Sequence, residues 1–186
     1  MKNIIAAALA AGIVLGTARV ASATELYFDG SVFGGTSTWG LDPKIEGALR
    51  SGFEFANVGS IELQGRMGYA AVDQRMLMLV GLGTRLCIPI EPFTPYLRLS
   101  LIHAHESPVA AMEHDPVMHL LGVGDGIRHR FGFEGGIGAK YTFLTVNDDV
   151  AIDASAVALV DGFPDDGKGP QLYGSAGLGL GLEYSL

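Results

Sequence analysis

Apolar and polar side chains alternate along most of this chain with a period of two, the spacing of a β-strand, in which successive side chains point to opposite faces. The clearest run lies at the end, where Leu178, Leu180, Leu182, Tyr184 and Leu186 alternate with Gly177, Gly179, Gly181, Glu183 and Ser185. Seven further segments share the period, giving 25–33, 44–56, 60–71, 76–88, 95–106, 127–143, 150–160 and 171–186. Each approaches or exceeds the about 9 to 11 residues that a tilted strand needs to cross a bilayer.

The two faces differ sharply. In 44–56, Ile45, Leu49, Phe53 and Phe55 oppose Lys44, Glu46, Arg50 and Glu54, and in 60–71, Ile61, Leu63, Met67 and Tyr69 oppose Glu62, Gln64 and Arg66. Segment 150–160 is the weakest, with Ala151, Val157 and Leu159 on the face of Asp153 and Ser155. Collected over all segments, the polar face carries Lys44, Arg50, Arg66, Arg85, Arg98, Arg128, Arg130 and Lys140 against Glu46, Glu54, Glu62, Glu106, Glu134, Asp153 and Glu183. A soluble sandwich would bury the aliphatic face and wet these charges; a barrel standing in a membrane inverts the arrangement. The pattern predicts the inverted case, an all-β, eight-stranded antiparallel up-and-down transmembrane barrel. Eight strands leave an interior just wide enough for side chains, so the nearly balanced charges predict a lumen plugged by its own ion pairs.

The first 23 residues change the reading of the compartment. Lys2, an apolar run over 4–16 and Ala21-Ser22-Ala23 form the n-region, h-region and cleavage site of a secretory signal peptide. The apolar run is well short of the about 20 residues of a membrane helix. The expected domain layout is therefore a signal peptide over 1–23 and a barrel over 24–186. Losing Lys2 and Arg19 makes the formal charge two units more negative than −8, which argues against nucleic acid as a partner. The connections fall into short ones at 57–59, 89–94 and 144–149 and longer ones at 34–43, 107–126 and 161–170, with 72–75 short among the latter. That asymmetry predicts periplasmic turns and external loops.

These segments together resemble the small eight-stranded outer-membrane barrels of Gram-negative bacteria, of the OmpA transmembrane-domain and OmpX type. The resemblance covers the whole of 24–186 and rests on architecture rather than on a motif. It implies residence in the outer membrane, contact with membrane lipid and lipopolysaccharide, and recognition of the last strand by the barrel-assembly machinery. Leu178, Leu180, Leu182, Tyr184 and Leu186 would carry that signal, with Leu186 standing where the family usually ends in an aromatic residue. Because the chain ends at that strand, no peptidoglycan-binding domain of the OmpA kind is expected after it, and the expected role is structural or surface-binding, exercised through loop 107–126.

The chemistry-bearing residues cluster. All five histidines lie between 103 and 129, and His103, His105 and His129 fall in phase at the ends of two neighbouring strands. Cross-strand neighbours on one face come within reach of each other, so these three imidazoles are a candidate site for Zn²⁺, Cu²⁺ or Ni²⁺. His114, His119, Glu113 and Asp115 stand in the loop between. An alternative role is a lipid-modifying hydrolase at the rim, similar to lipid A deacylases, with His105, Glu106 and Ser107 offering base, acid and nucleophile. Adjacent strand residues point to opposite faces, which keeps the three from aligning, and no catalytic residue is assigned. A small-solute channel is the other alternative, opposed by the lumenal charges. The sequence carries no cofactor motif: Gly122-Val123-Gly124-Asp125-Gly126 lies before a strand rather than between a strand and a helix. The single cysteine, Cys87, reads as a small buried side chain.

Overall fold

A computed structural model describes residues 24–38, 40–55, 58–88, 90, 92–147, 149–167 and 169–186. The export segment read from 1–23 lies outside the described residues. All eight alternating segments fold as strands: β1 (Thr24–Ser37), β2 (Pro43–Phe55), β3 (Gly59–Ala70), β4 (Arg75–Cys87), β5 (Phe93–Pro108), β6 (Arg128–Asn147), β7 (Val150–Gly162) and β8 (Leu172–Ser185). Each pairs antiparallel with its neighbour in sequence, and β1 pairs with β8 to close the ring. Closure leaves no unpaired edge and satisfies the backbone between strands. Among the described residues no helix is long and apolar enough to cross a membrane.

The pleat decides what each side meets. Leu178, Leu180 and Leu182 are 71%, 63% and 44% exposed, whereas Arg50, Arg66 and Arg98 are 2%, 3% and 1% exposed. Leu49, Leu63, Leu82, Leu99, Phe133 and Ile137 continue the exposed apolar belt around the wall. Soluble monomers rarely show a contiguous apolar patch beyond a few hundred Å², so an exterior built this way calls for hydrocarbon rather than water.

Glycines on the inner face make room for rings from the next strand. A Cβ at Gly177 would collide with Phe33, and one at Gly138 with Tyr96, so the polar face of β8 is small where aromatic side chains need the space. The strands also outrun the sequence pattern. β6 extends to Asn147, past two register shifts between Thr142 and Leu144 and between Thr145 and Asn147. Such bulges let pairing continue after the side chains lose phase, which is why most of the turn expected at 144–149 is strand. At the other end, β7 extends to Gly162 and draws Asp161 out of the expected loop and into the wall. The longest connection, between β5 and β6, holds two short helices, α1 (Val109–Met112) and α2 (Pro116–Leu120).

Candidate functional site in the lumen and at the outer rim

Three connected groups of charges fill the inside of the barrel. Nearest the chain termini, Lys140 pairs with Glu183 and lies 3.7 Å from Glu54. Arg85 reaches Glu54 at 2.5 Å and Glu183 at 3.8 Å. Arg98 Nε stands 2.6 Å from Glu62, whose other oxygen accepts from the Tyr27 hydroxyl. Across the middle, Arg66 meets Asp161 at 2.6 Å, Glu134 at 3.2 Å and Glu46 at 3.6 Å, while Lys44 bonds Glu46 at 2.7 Å. Gln64 joins this group to Arg50 by donating to Glu134 and accepting from Arg50, which also pairs with Asp29 at 2.9 Å. Toward the long loops, Glu106 takes Arg128 and Arg130 at 3.3 Å each and accepts from the Tyr173 hydroxyl at 3.0 Å. Arg128 continues to Asp73 at 2.5 Å.

Every lumenal charge named from the sequence lies in this network or beside it, with Asp153 accepting from Thr142. Sequence reasoning missed Asp29 and Asp161. Asp29 is in phase with buried Tyr27 and Ser31, and Asp161 is in phase with Asp153 and Leu159 but lies one residue past the end assigned to segment 150–160, so both signals were present. The lumen is also less purely charged than the polar face suggests. Arg85 lies over Tyr27 at 4.3 Å, Arg130 over Phe163 at 4.5 Å and Lys44 over Tyr173 at 4.8 Å. Leu77, Leu79, Ile102, Ala104, Phe163 and Tyr173 pack as an apolar layer near the loop end. Guanidinium faces stack on rings while their edges bond carboxylates, a division of labour that suits arginine. Between Tyr27, Arg85, Arg98, Lys140 and Glu183 a cavity of about 20 Å³ remains, room for about one water.

At the loop end the outward face changes character. His105 pairs directly across from His129, and His103 from Phe131. His103 Nε2 lies 2.7 Å from His105 Nε2. The His105 and His129 rings sit 4.7 Å apart and those of His103 and His129 5.9 Å apart. One ligand nitrogen from each of the three falls within 4.8 Å of the others. The structure therefore brings together the three histidines singled out by phase. His114 is exposed on the loop and takes no part in the group.

The β5–β6 connection folds back on the same end of β5. Ser107 is fully buried, and its hydroxyl lies 2.6 Å from Nδ1 of His119, itself buried on α2. Asp115 caps α2 by accepting from the Met118 N–H, and Pro116 opens the helix where a missing N–H costs nothing. Arg75 holds the far end of the segment through the Gly126 carbonyl at 2.9 Å. Gly122, at φ +77°, lies against the His105 ring so closely that a Cβ would overlap Nδ1 and Cε1. His105, Glu106 and Ser107 do not assemble as a triad: Glu106 points into the lumen at Arg128 and Arg130, and Ser107 takes His119 as its partner.

The fold defines a class, the small eight-stranded barrel of the bacterial outer-membrane type. No family model and no curated protein sequence matches the chain. Solved structures do match. The crystal structure of Neisserial surface protein A superposes with a TM-score of 0.56 at 18% identity, covering 89% of this chain and 100% of that one. The N-terminal β-barrel domain of Pseudomonas aeruginosa OprF superposes with a TM-score of 0.53 at 17% identity, covering 85% and 97%. At such identities the likeness is one of fold.

Proposed function

We propose that this chain is an integral barrel of the outer membrane with a lumen sealed by its own side chains, acting as a structural or surface-binding element through the segment between β5 and β6. The observation that carries the reading is the succession of ion-paired groups that occupies the lumen, from Lys140–Glu183 at one end through Arg66–Asp161 to Arg128–Asp73 at the other. A diffusion pore needs a water-filled path lined by groups that bind a solute weakly enough to release it. Here the cationic groups are held by carboxylates at hydrogen-bonding distance, and the rings of Tyr27, Phe33, Tyr96 and Phe163 occupy the space between them. The segment over 109–127 is the largest connection at the loop end. It is pinned by His119 and Arg75, so it offers a preformed surface rather than a tether.

Planar-bilayer recording of the purified protein tests the sealed lumen. The expected result is a flat baseline, with steps emerging when Arg66 and Arg98 are both replaced by alanine. Regular ion steps from the unaltered protein would make it a channel and overturn the reading.

A further inference from the structure

We propose that His103, His105 and His129 form a binding site for a divalent transition metal ion of the Zn²⁺, Ni²⁺ or Cu²⁺ class, on the outward face of the barrel at its loop end. Three observations converge. The side chains come from two paired strands, so their Cα positions are fixed by backbone hydrogen bonds rather than by a loop, the setting in which ligand geometry is held best. Their ligand nitrogens lie within 4.8 Å of one another. Bound Zn²⁺ takes imidazole nitrogen at about 2.0 to 2.1 Å, which puts neighbouring nitrogens of a tetrahedral site about 3.3 Å apart by geometry. The present spacing brackets that value, with His103 and His105 closer at 2.7 Å, so small side-chain rotations suffice.

The third observation is the state of the rings. Nε2 of His103 and Nε2 of His105 share one hydrogen bond at 2.7 Å, which already aims both ring nitrogens at one point. A metal ion bound there displaces the shared proton and takes both lone pairs. The donor set is all imidazole, which favours Zn²⁺, Ni²⁺ and Cu²⁺ over oxygen-seeking Mg²⁺ and Ca²⁺. Exposed His129 leaves the fourth position open to water or to an oxygen from outside.

Gly122 acts as a positioning residue for this site. A Cβ there would overlap Nδ1 and Cε1 of His105, so only glycine leaves the ring the place from which its Nε2 meets His103. Because Gly122 belongs to the segment between β5 and β6, metal binding and the order of that segment are coupled.

The test uses the untagged full chain, refolded in detergent and checked for heat-modifiable gel migration, titrated calorimetrically with Zn²⁺. One ion per barrel is expected. The His103→Ala, His105→Ala pair should abolish binding, His129→Ala should weaken it at least tenfold, and His114→Ala should leave it unchanged. Gly122→Ala should weaken binding while the barrel still migrates as folded, and Zn²⁺ should slow proteolysis of 109–127 in the unaltered and His114→Ala proteins but not in the His103→Ala, His105→Ala pair. All these positions face outward or lie in the loop, so the variants retain the barrel. Absence of heat with Zn²⁺, Ni²⁺ and Cu²⁺ alike, or equal binding by the double variant, overturns the site and leaves three rim histidines at the membrane boundary.

Discussion

Arg66 on β3 and Asp161 on β7 meet at 2.6 Å although their strands lie on opposite sides of the ring. The pair crosses the lumen, and it does so inside a wall whose outer surface is Leu, Ile and Phe. Arg66 also holds Glu134 and Glu46, whereas Asp161 has Lys44 at 3.6 Å as its other cation. The two partners are therefore unequal.

That inequality gives a prediction. Arg66→Ala takes a cation from three buried carboxylates at once, leaving Glu134 with only the Gln64 amide and the Ser100 hydroxyl and Glu46 and Asp161 to share Lys44, and should cost about 3 to 5 kcal/mol, the range for removing one partner of a buried pair. Asp161→Ala leaves Arg66 with two carboxylates and should cost clearly less. Urea unfolding in lipid vesicles, followed by tryptophan fluorescence and gel migration, measures both. Equal losses would mean that the network does not share charge around Arg66.

The outer wall gives a second. Leu180 lies midway along β8 and is 63% exposed, so Leu180→Arg places a guanidinium against acyl chains. The expected loss is about 2 to 4 kcal/mol at the bilayer midplane. The same substitution at Leu120, on α2, should change stability by less than about 0.5 kcal/mol. The difference between the two, from unfolding in vesicles, reads the lipid contact directly.

The third concerns the segment between β5 and β6. Ser107→Ala leaves the buried His119 ring nitrogen without its partner, a loss of about 1 to 3 kcal/mol. Because the contact ties loop to wall rather than wall to wall, the cost should appear as faster proteolysis within 109–127 with heat-modifiable migration intact. Loss of the folded band would place Ser107 in the barrel's own stability instead.

The wall was legible because alternation is local: each strand carries its inward and outward residues in its own sequence, so Leu49, Leu63, Leu99 and Leu180 sort to one side before any fold is known. The partners across the lumen were not. Which carboxylate meets Arg66 depends on strand tilt and stagger, and neither leaves a mark on one strand's sequence. Asp73 in the β3–β4 connection holds Arg128, and Asp42 accepts the Val72 and Asp73 N–H groups, contacts made only once four strand ends are brought to one rim. His103, His105 and His129 were legible as a set because they share a face of two sequential strands. His119, which ends up on Ser107, was not, because a loop has no phase.

The inverted wall itself is tested most directly by spin-label scanning of β8. Single cysteines at 175, 178, 180, 181 and 182, in a Cys87→Ser background and reconstituted in vesicles, are compared for collision with oxygen, which concentrates in acyl chains, and with a water-soluble nickel chelate. The account predicts oxygen contact highest at positions 178, 180 and 182 and low contact with both probes at 175 and 181, inward positions that are buried or leave room for a Cβ. Labels at 178, 180 and 182 that meet the chelate as freely as those on an external loop would contradict it.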